Sequence, residues 1–406
     1  LSTLIQCGTL LDGLGGVPRH DVQILVVDKT ISYIGPIGED LQADTTIDLS
    51  EKTVLPGLID AHVHFPGTRT WDPLDSLRVP HDLAVIRAAF DARAVLMSGF
   101  TSCRCCGSSI GPSLKKAVNE GTLEGPTIVA CGRPIAQTGG ERGTHYGHPG
   151  WLHPMAAITA DGPEACRKAV REQLKDGIDF IKVFATGHFG SEHQDPHARQ
   201  FTPAELDAIV DEAHSAGRKV AAHAHGKAGI DNAVMAGVDT IQHGTYMDME
   251  SALRIRDQGV YWIPTLTSIL HTLTEGSTKG TAEWVLRKSA QAFPHRRAAF
   301  ELALEVGIKI AVGTNSLGSP LQPYGASAQE LERMVEFGMT PMQAIVAATK
   351  TAAEACGLEK ERGTLQEGMH ADLIAVDGSP LEHIAVLQRV SFVMRNGKII
   401  GGAQRA

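Results

Sequence analysis

Eight strand-like runs divide the middle of this chain, and their spacing leaves few ways to fold it. They are "GLIDAHVHF", "GFTSCRCCG", "TIVACGRPI", "DFIKVFATG", "KVAAHAHG", "TIQHGTYM", "YWIPTL" and "KIAVGTNS". Helix-period segments separate most of them. One covers 203–216, opened by Thr202-Pro203 with Glu205 and stopped at Gly217; another covers 298–306. A strand, a helix and a second strand make a parallel pair, and eight such units close a (β/α)8 TIM barrel. The spacing therefore predicts an α/β protein with a barrel over residues 57–362.

The two ends read differently. Residues 1–56 hold short apolar runs cut by Gly and Pro every ten or so residues, and 363–406 repeat the pattern, with Asn396-Gly397 as a hairpin signal. Together they predict a small β-sandwich built from both ends of the chain. Of the 406 residues, 43% are apolar and 20% charged, and the net charge is −9. That balance leaves no basic footprint for nucleic acid or anionic lipid, and no apolar run has the length of a membrane span. Seven cysteines, three of them in "CRCCG", form no paired spacing and read as buried thiols of a reducing compartment. Cytoplasmic residence is the expectation; the chain starts at Leu1, so an upstream segment is left open.

In a barrel the chemistry sits where the strands end. The first run ends in His62-Val63-His64 and the fifth in His223-Ala224-His225; the sixth carries His243 and the eighth ends at Asn315. Residues i and i+2 of a strand share a face, so each His-x-His pair can grip one ion. A single histidine at a strand end is ordinary; four strands presenting donors at one rim point to a metal. Imidazole with oxygen donors suits zinc first, then manganese, cobalt or nickel. Lys182 lies mid-run among apolar residues. It is either a snorkelling side chain or a lysine that reacts with carbon dioxide. In the second case its carbamate would bridge two divalent ions that share a hydroxide.

These motifs, "LPGLIDAHVHF", "FIKVFATG", "VAAHAHG", "IQHGT" and "AVGTNS", with the closing "GTLQEGMHADLIAVDGSP", resemble the amidohydrolase superfamily over nearly the whole chain. The nearest subgroup is the imidazolonepropionase-like metal-dependent carboxypeptidases, which includes Xaa-Pro dipeptidases and enzymes that cleave the amide of ochratoxin. The resemblance implies that His62 and His64 hold the more buried ion, carboxylated Lys182 bridges, and His223 and His243 hold the second. It implies that His225 stands at the rim beside the substrate. Asn315 falls where the family has an aspartate that binds the first ion and shuttles a proton, and Cys105 falls where an acid is common. An Asp→Asn replacement in an otherwise intact amidase, a natural divergence, and a turn-forming asparagine are the three readings of Asn315; the first is favoured, which makes this copy impaired.

The implied reaction is hydrolysis of an N-acyl amino acid or dipeptide, ochratoxin A included, by a homo-oligomer with small-molecule partners only. A cyclic-amide hydrolase, a deaminase and a silent metal-binding relative are the rivals. The substrate carboxylate needs a cation, for which Arg142, Tyr146, His188 and Arg199 are the candidates. Phe65, Trp71, Trp151 and Phe189 are candidates for an apolar wall.

Overall fold

The computed structural model describes residues 1–69, 78–140 and 156–401. Trp71, Arg142, Tyr146 and Trp151 lie outside these residues. The first strands are β1 (Ser2–Leu10), β2 (Arg19–Val27), β3 (Thr30–Pro36) and β4 (Thr45–Pro56), followed by β5 (Leu58–Val63). Then come α1 (His81–Met97), β6 (Phe100–Cys105), α2 (Gly111–Asn119), β7 (Thr127–Ala130), β8 (Ile135–Ala136) and β9 (Ile158–Thr159). Next are α3 (Pro163–Lys175), β10 (Phe180–Phe184), α4 (Pro203–Ser215), β11 (Lys219–Ala224), α5 (Lys227–Met235), β12 (Thr240–His243), α6 (Met249–Asp257) and β13 (Tyr261–Ile263). The chain finishes with α7 (Leu266–Glu275), α8 (Glu283–Val306), α9 (Gln329–Glu336), α10 (Pro341–Ala348), α11 (Lys350–Cys356), β14 (Leu373–Asp377), β15 (Val390–Arg395) and β16 (Lys398–Gly401).

Strands from both ends of the chain join, as the end composition predicts, but in one seven-stranded sheet ordered β16-β15-β14-β4-β1-β2-β3. Its inward residues alternate along each strand: Val22, Ile24 and Val26 on β2 meet Ile5, Ile47, Val54, Leu373 and Phe392 in one apolar cluster. Asn396 and Gly397, at φ 50° and 71°, turn β15 into β16. Two consecutive left-handed residues are what a tight hairpin of this twist requires.

The middle of the chain has an α/β fold of the TIM-barrel type. Its strands run parallel in two sheets, β5-β6-β7 and β13-β12-β11-β10-β8-β9. The capping box of α4 forms between Thr202 and Glu205, and Gly217 at φ 67° follows the helix, as the sequence predicts. Helix α8 begins well before 298 and runs through Pro294. All seven cysteines are buried and free. Among the described residues no helix is long and apolar enough to cross a membrane.

The eighth run departs from expectation. Residues 310–316 form no regular strand, though their backbone bonds both neighbours: Val312 and Ser316 accept from Ala61 and His64, Asn315 donates to His62, and Ala311 donates to Trp262, with bridges at Trp262–Ile310 and Val63–Ser316. Two features explain this. Gly313 lies so close to β5 that a Cβ there would sit 2.8 Å from the Cβ of His62. Asn315 has φ 62°, which breaks an extended chain. Asp60 adds a side-chain tie to these backbone bonds. Its carboxylate accepts from the N–H groups of His62 and Thr314, both at 3.1 Å, and from the Thr314 hydroxyl at 2.7 Å.

A second buried carboxylate shapes the end of β13. Thr265 is left-handed (φ 53°) and does not cap α7 with its side chain. Glu330, from α9, does so across the interface. It accepts from the N–H groups of Leu266 and Thr267, both at 2.7 Å, and from the Thr267 hydroxyl. Burial pushes its carboxyl up to about 7, against an ordinary value of 4.5. The folded state therefore holds this proton more tightly than the unfolded chain. The corresponding stability is full below 4.5 and is lost as pH rises through about 7. Thermal melts of chelator-treated protein between pH 4.5 and 8 should show this decline, and Glu330→Gln should flatten it; an unchanged slope would exclude Glu330 as its source.

Candidate metal centre and adjoining cavity

The predicted ligands meet. Ring centroids of His62 and His64 are 5.2 Å apart, His62 and His243 5.1 Å, His223 and His243 4.6 Å, and His223 and His225 4.6 Å. Potential ligand atoms of His223, His225 and His243 all lie within 4.8 Å of one another. Lys182 is buried on β10, in register with Ala221 on β11, two residues before the Phe184–His223 pair. His225, expected at the rim, is part of the buried cluster.

Most of the rings are held from behind. His62 Nδ1 lies 2.7 Å from Gln242 Oε1, and the other end of that amide donates to Thr240 Oγ1, which fixes its orientation. His64 Nδ1 donates to the Gly107 carbonyl at 3.2 Å. His225 Nδ1 meets Thr245 Oγ1 at 2.8 Å, and His243 Nδ1 meets Thr265 Oγ1 at 2.7 Å. With a proton on Nδ1, the Nε2 lone pair is turned inward, the arrangement typical of metal-binding histidines. Burial, joined for His62 by the Lys182 charge and for His225 by Arg296, holds His62, His223, His225 and His243 well below the ordinary 6.5. The rings are thus neutral at pH 7 and able to donate electron pairs.

Two observations fit this donor set to a cation. His223 Nε2 and His225 Nε2 are buried without a hydrogen-bond partner. His64 Nε2 and Asn315 Oδ1 approach to 3.1 Å, although the Gly107 bond has already used the ring proton. Two lone pairs facing each other call for a positive charge between them. An asparagine has a second option that an aspartate lacks. Turned over, its NH2 donates to the same nitrogen and occupies the lone pair.

Beside this cluster lies a cavity of about 350 Å³, lined in part by His225, His243, Asn315, Phe189, Ile269 and Val285. His188 reaches its wall too. Its Nδ1 accepts from the Gly190 N–H at 2.7 Å, so a neutral ring carries its proton on Nε2. Other expected contacts are elsewhere. Arg199 is exposed and is not among the residues lining the cavity. Phe65 is fully buried and stacks on Tyr324 at 5.5 Å, outside the cavity lining. Cys105 is buried, and burial pushes its thiol up to about 12, so it is a neutral packing residue.

Sequence reading missed Gln242, Thr245, Thr265 and Arg296. Gln242 and Thr245 flank His243 inside a motif already singled out, but only the folded backbone shows which way they point. Arg296 does carry a signal. It sits on the buried stripe of α8 with Ser289, Ala292, Ala299, Phe300 and Ala303, where an apolar residue is the norm.

The Amidohydrolase family profile matches residues 53–400. Ochratoxinase of Aspergillus niger is 33% identical over 98% of this chain and 87% of its own length. A solved structure of a Xaa-Pro dipeptidase with bound methionine in its active site superposes with a TM-score of 0.92 at 36% identity, covering 99% of this chain and 100% of that one. A prolidase complexed with N-methylphosphonate-L-proline gives 0.90 at 30% identity, with the same coverage.

Replacing Thr265 by Val deletes the hydroxyl behind His243 with little change of shape. Zinc affinity, measured by competition with a chromophoric chelator, should fall about 10- to 100-fold. Unchanged affinity would mean that this hydroxyl does not orient a ligand.

Proposed function

The chain belongs to the amidohydrolase family, and from that premise we propose that it is a metal-dependent hydrolase of N-acyl amino acids or dipeptides, ochratoxin-like amides included. The observation that carries the reading is the convergence of five imidazoles from β5, β11 and β12 at one end of an apolar cavity, with two Nε2 atoms lacking any protein partner. The relatives support the substrate class. One is named for ochratoxin, two are named as dipeptidases of the proline type, and one of those holds methionine, an amino acid with a free carboxylate.

In this proposal His62 and His64 would hold one divalent ion and His223 and His243 a second, and Lys182, carboxylated, would supply an anionic ligand. His225, on the cavity wall, would face the substrate. Two bound ions of this kind, zinc first among the candidates, make water more acidic and polarise a scissile carbonyl. The chain's own residues do the rest. The apolar walls exclude water and receive a bulky side chain. His188 lines the same cavity and faces the substrate's space. Residue 315 is placed to take a proton from the attacking water and pass it to the leaving amine. An aspartate does this; an asparagine has no carboxyl to protonate. The present chain should therefore bind substrate and turn it over slowly.

Asn315→Asp should raise kcat roughly 10²- to 10⁴-fold on N-acyl amino acids at saturating zinc, with little change in KM. It should also tighten zinc binding, since no amide NH2 remains to occupy the His64 lone pair. Equal turnover by both forms would remove residue 315 from proton transfer. Absence of hydrolysis by the Asp form across a panel of N-acyl amino acids and dipeptides would favour the second reading, a silent metal-binding protein, to which Asn315 alone lends support.

Elemental analysis under replete conditions should give about two divalent ions per chain with the Asp form. Lys182→Ala should give about one. If that variant keeps both ions and full activity, Lys182 is a structural residue.

A further inference from the structure

We propose that Arg296 is the receptor for the free carboxylate of the substrate, an inference that rests on the amide-hydrolase reading above. Arg296 is 2% exposed and lines the cavity together with His225, His243 and Asn315. Its Nη1 donates to the Thr265 carbonyl at 2.8 Å, and its Nη2 donates to Thr245 Oγ1 at 3.2 Å. Its Nε–H is buried with no hydrogen-bond partner. A third, longer contact runs from Nη1 to Thr265 Oγ1 at 3.4 Å; all three go to neutral oxygens, and the Nε–H of the five guanidinium N–H groups is left unused.

Its charge also lacks a direct partner. Among the described residues Arg296 forms no ion pair with Asp or Glu, and none of the cavity-lining residues is acidic. Glu330 acts on it only through space, its oxygens being taken by Leu266 and Thr267. Burial lowers the Arg296 pKa to about 10, which still leaves it cationic at neutral pH. A buried cation with no anion in contact is costly, and one on a cavity wall is matched most directly by an anionic ligand.

The form of the cavity narrows that ligand. About 350 Å³ suits a small molecule, and Phe189, Ile269, Val285 and Leu321 offer an apolar side chain a place to pack. The imidazoles and Asn315 mark where an amide would react. An amide and a carboxylate joined through one carbon that carries an apolar side chain is an N-acyl α-amino acid. Carboxylate and guanidinium pair through two parallel hydrogen bonds, a geometry lysine cannot offer.

A purely structural role is the competing account, because Thr245 and Thr265 also touch His225 and His243. The test separates the two by a ratio. In zinc-loaded Asn315→Asp enzyme, N-acetyl-L-phenylalanine should be hydrolysed with a kcat/KM at least about tenfold above that of its carboxamide. Arg296→Gln keeps a donor for the threonines but no charge, and should bring that ratio to about one, chiefly through KM. Equal losses on both substrates, with the ratio intact, would make Arg296 a positioning residue and overturn the proposal.

Ser268→Asp guards against a variant that misfolds. The Ser268 hydroxyl and Arg296 share the Thr265 carbonyl, so an aspartate there offers the guanidinium an internal anion. It should abolish the preference in a folded chain, and a preference that survives would count against the proposal. If the parent hydrolyses neither substrate, the amidase reading fails separately. Calorimetry on the unmodified protein then decides the carboxylate question. Tighter binding of the acid than of the carboxamide, lost in Arg296→Gln, sustains the proposal, and equal binding ends it.

Discussion

The carboxylate of Asp60 is the fixed point on which the site is assembled. It is fully buried in β5, and burial pushes it up to about 6, while the hydrogen bonds from His62 and Thr314 pull the other way. Those bonds reinforce the irregular backbone pairing of residues 310–316 with β5. Asp60 joins that segment to β5, and the Asn315 N–H then reaches the His62 carbonyl at 2.7 Å. One acid thereby sets the separation between His62 and Asn315. Asp60 is not among the residues lining the cavity beside the histidines and holds no ion in the proposal; its effect is transmitted through backbone.

The backbone around the site is strained to serve that geometry. His243, Thr265 and Asn315 all have positive φ (70°, 53° and 62°), and none is a glycine. Each such residue costs on the order of 1–3 kcal/mol unless its surroundings enforce it. The enforcing contacts are visible. Trp262 Nε1 donates to the His243 carbonyl at 3.1 Å, Arg296 donates to that of Thr265, and the Asp60 carboxylate accepts from the N–H groups of His62 and of Thr314, the residue before Asn315. Each left-handed residue ends a strand-like run, so the turn brings its side chain back over the end of the barrel-type core.

How much of this could be read beforehand follows from which signals are local. The His-x-His pairs were legible because period-two spacing at the end of an apolar run is a property of adjacent residues. The capping box at Thr202 was legible for the same reason. The eighth run was read as a strand because its composition is right; it does bond to β5 and β13, and what breaks its regularity is the left-handed Asn315 and the approach of Gly313 to His62, a contact between residues 251 positions apart. Arg296 and Arg297 show the limit most directly. They are neighbours of the same type, yet one is buried in the cavity wall and the other is exposed. Helix phase distinguishes them, and Pro294 masks the helix whose phase is needed. The joining of strands from both ends was foreseeable from composition, but the strand order depends on pairings more than 300 residues apart.

That joint sheet has a consequence for how the chain comes to exist. Strand β4 has β1 on one side and β14 on the other, so Lys52 pairs with Asp377. During synthesis the first four strands emerge with the β4 edge bare, and it stays so until the rest of the barrel-type region has left the ribosome. At about 5–20 residues per second that interval is tens of seconds. An open edge is a template for pairing with any passing strand. Strands made after the barrel-type region are therefore the ones that protect a strand made before it, and the β4 edge is a liability for as long as that region takes to make.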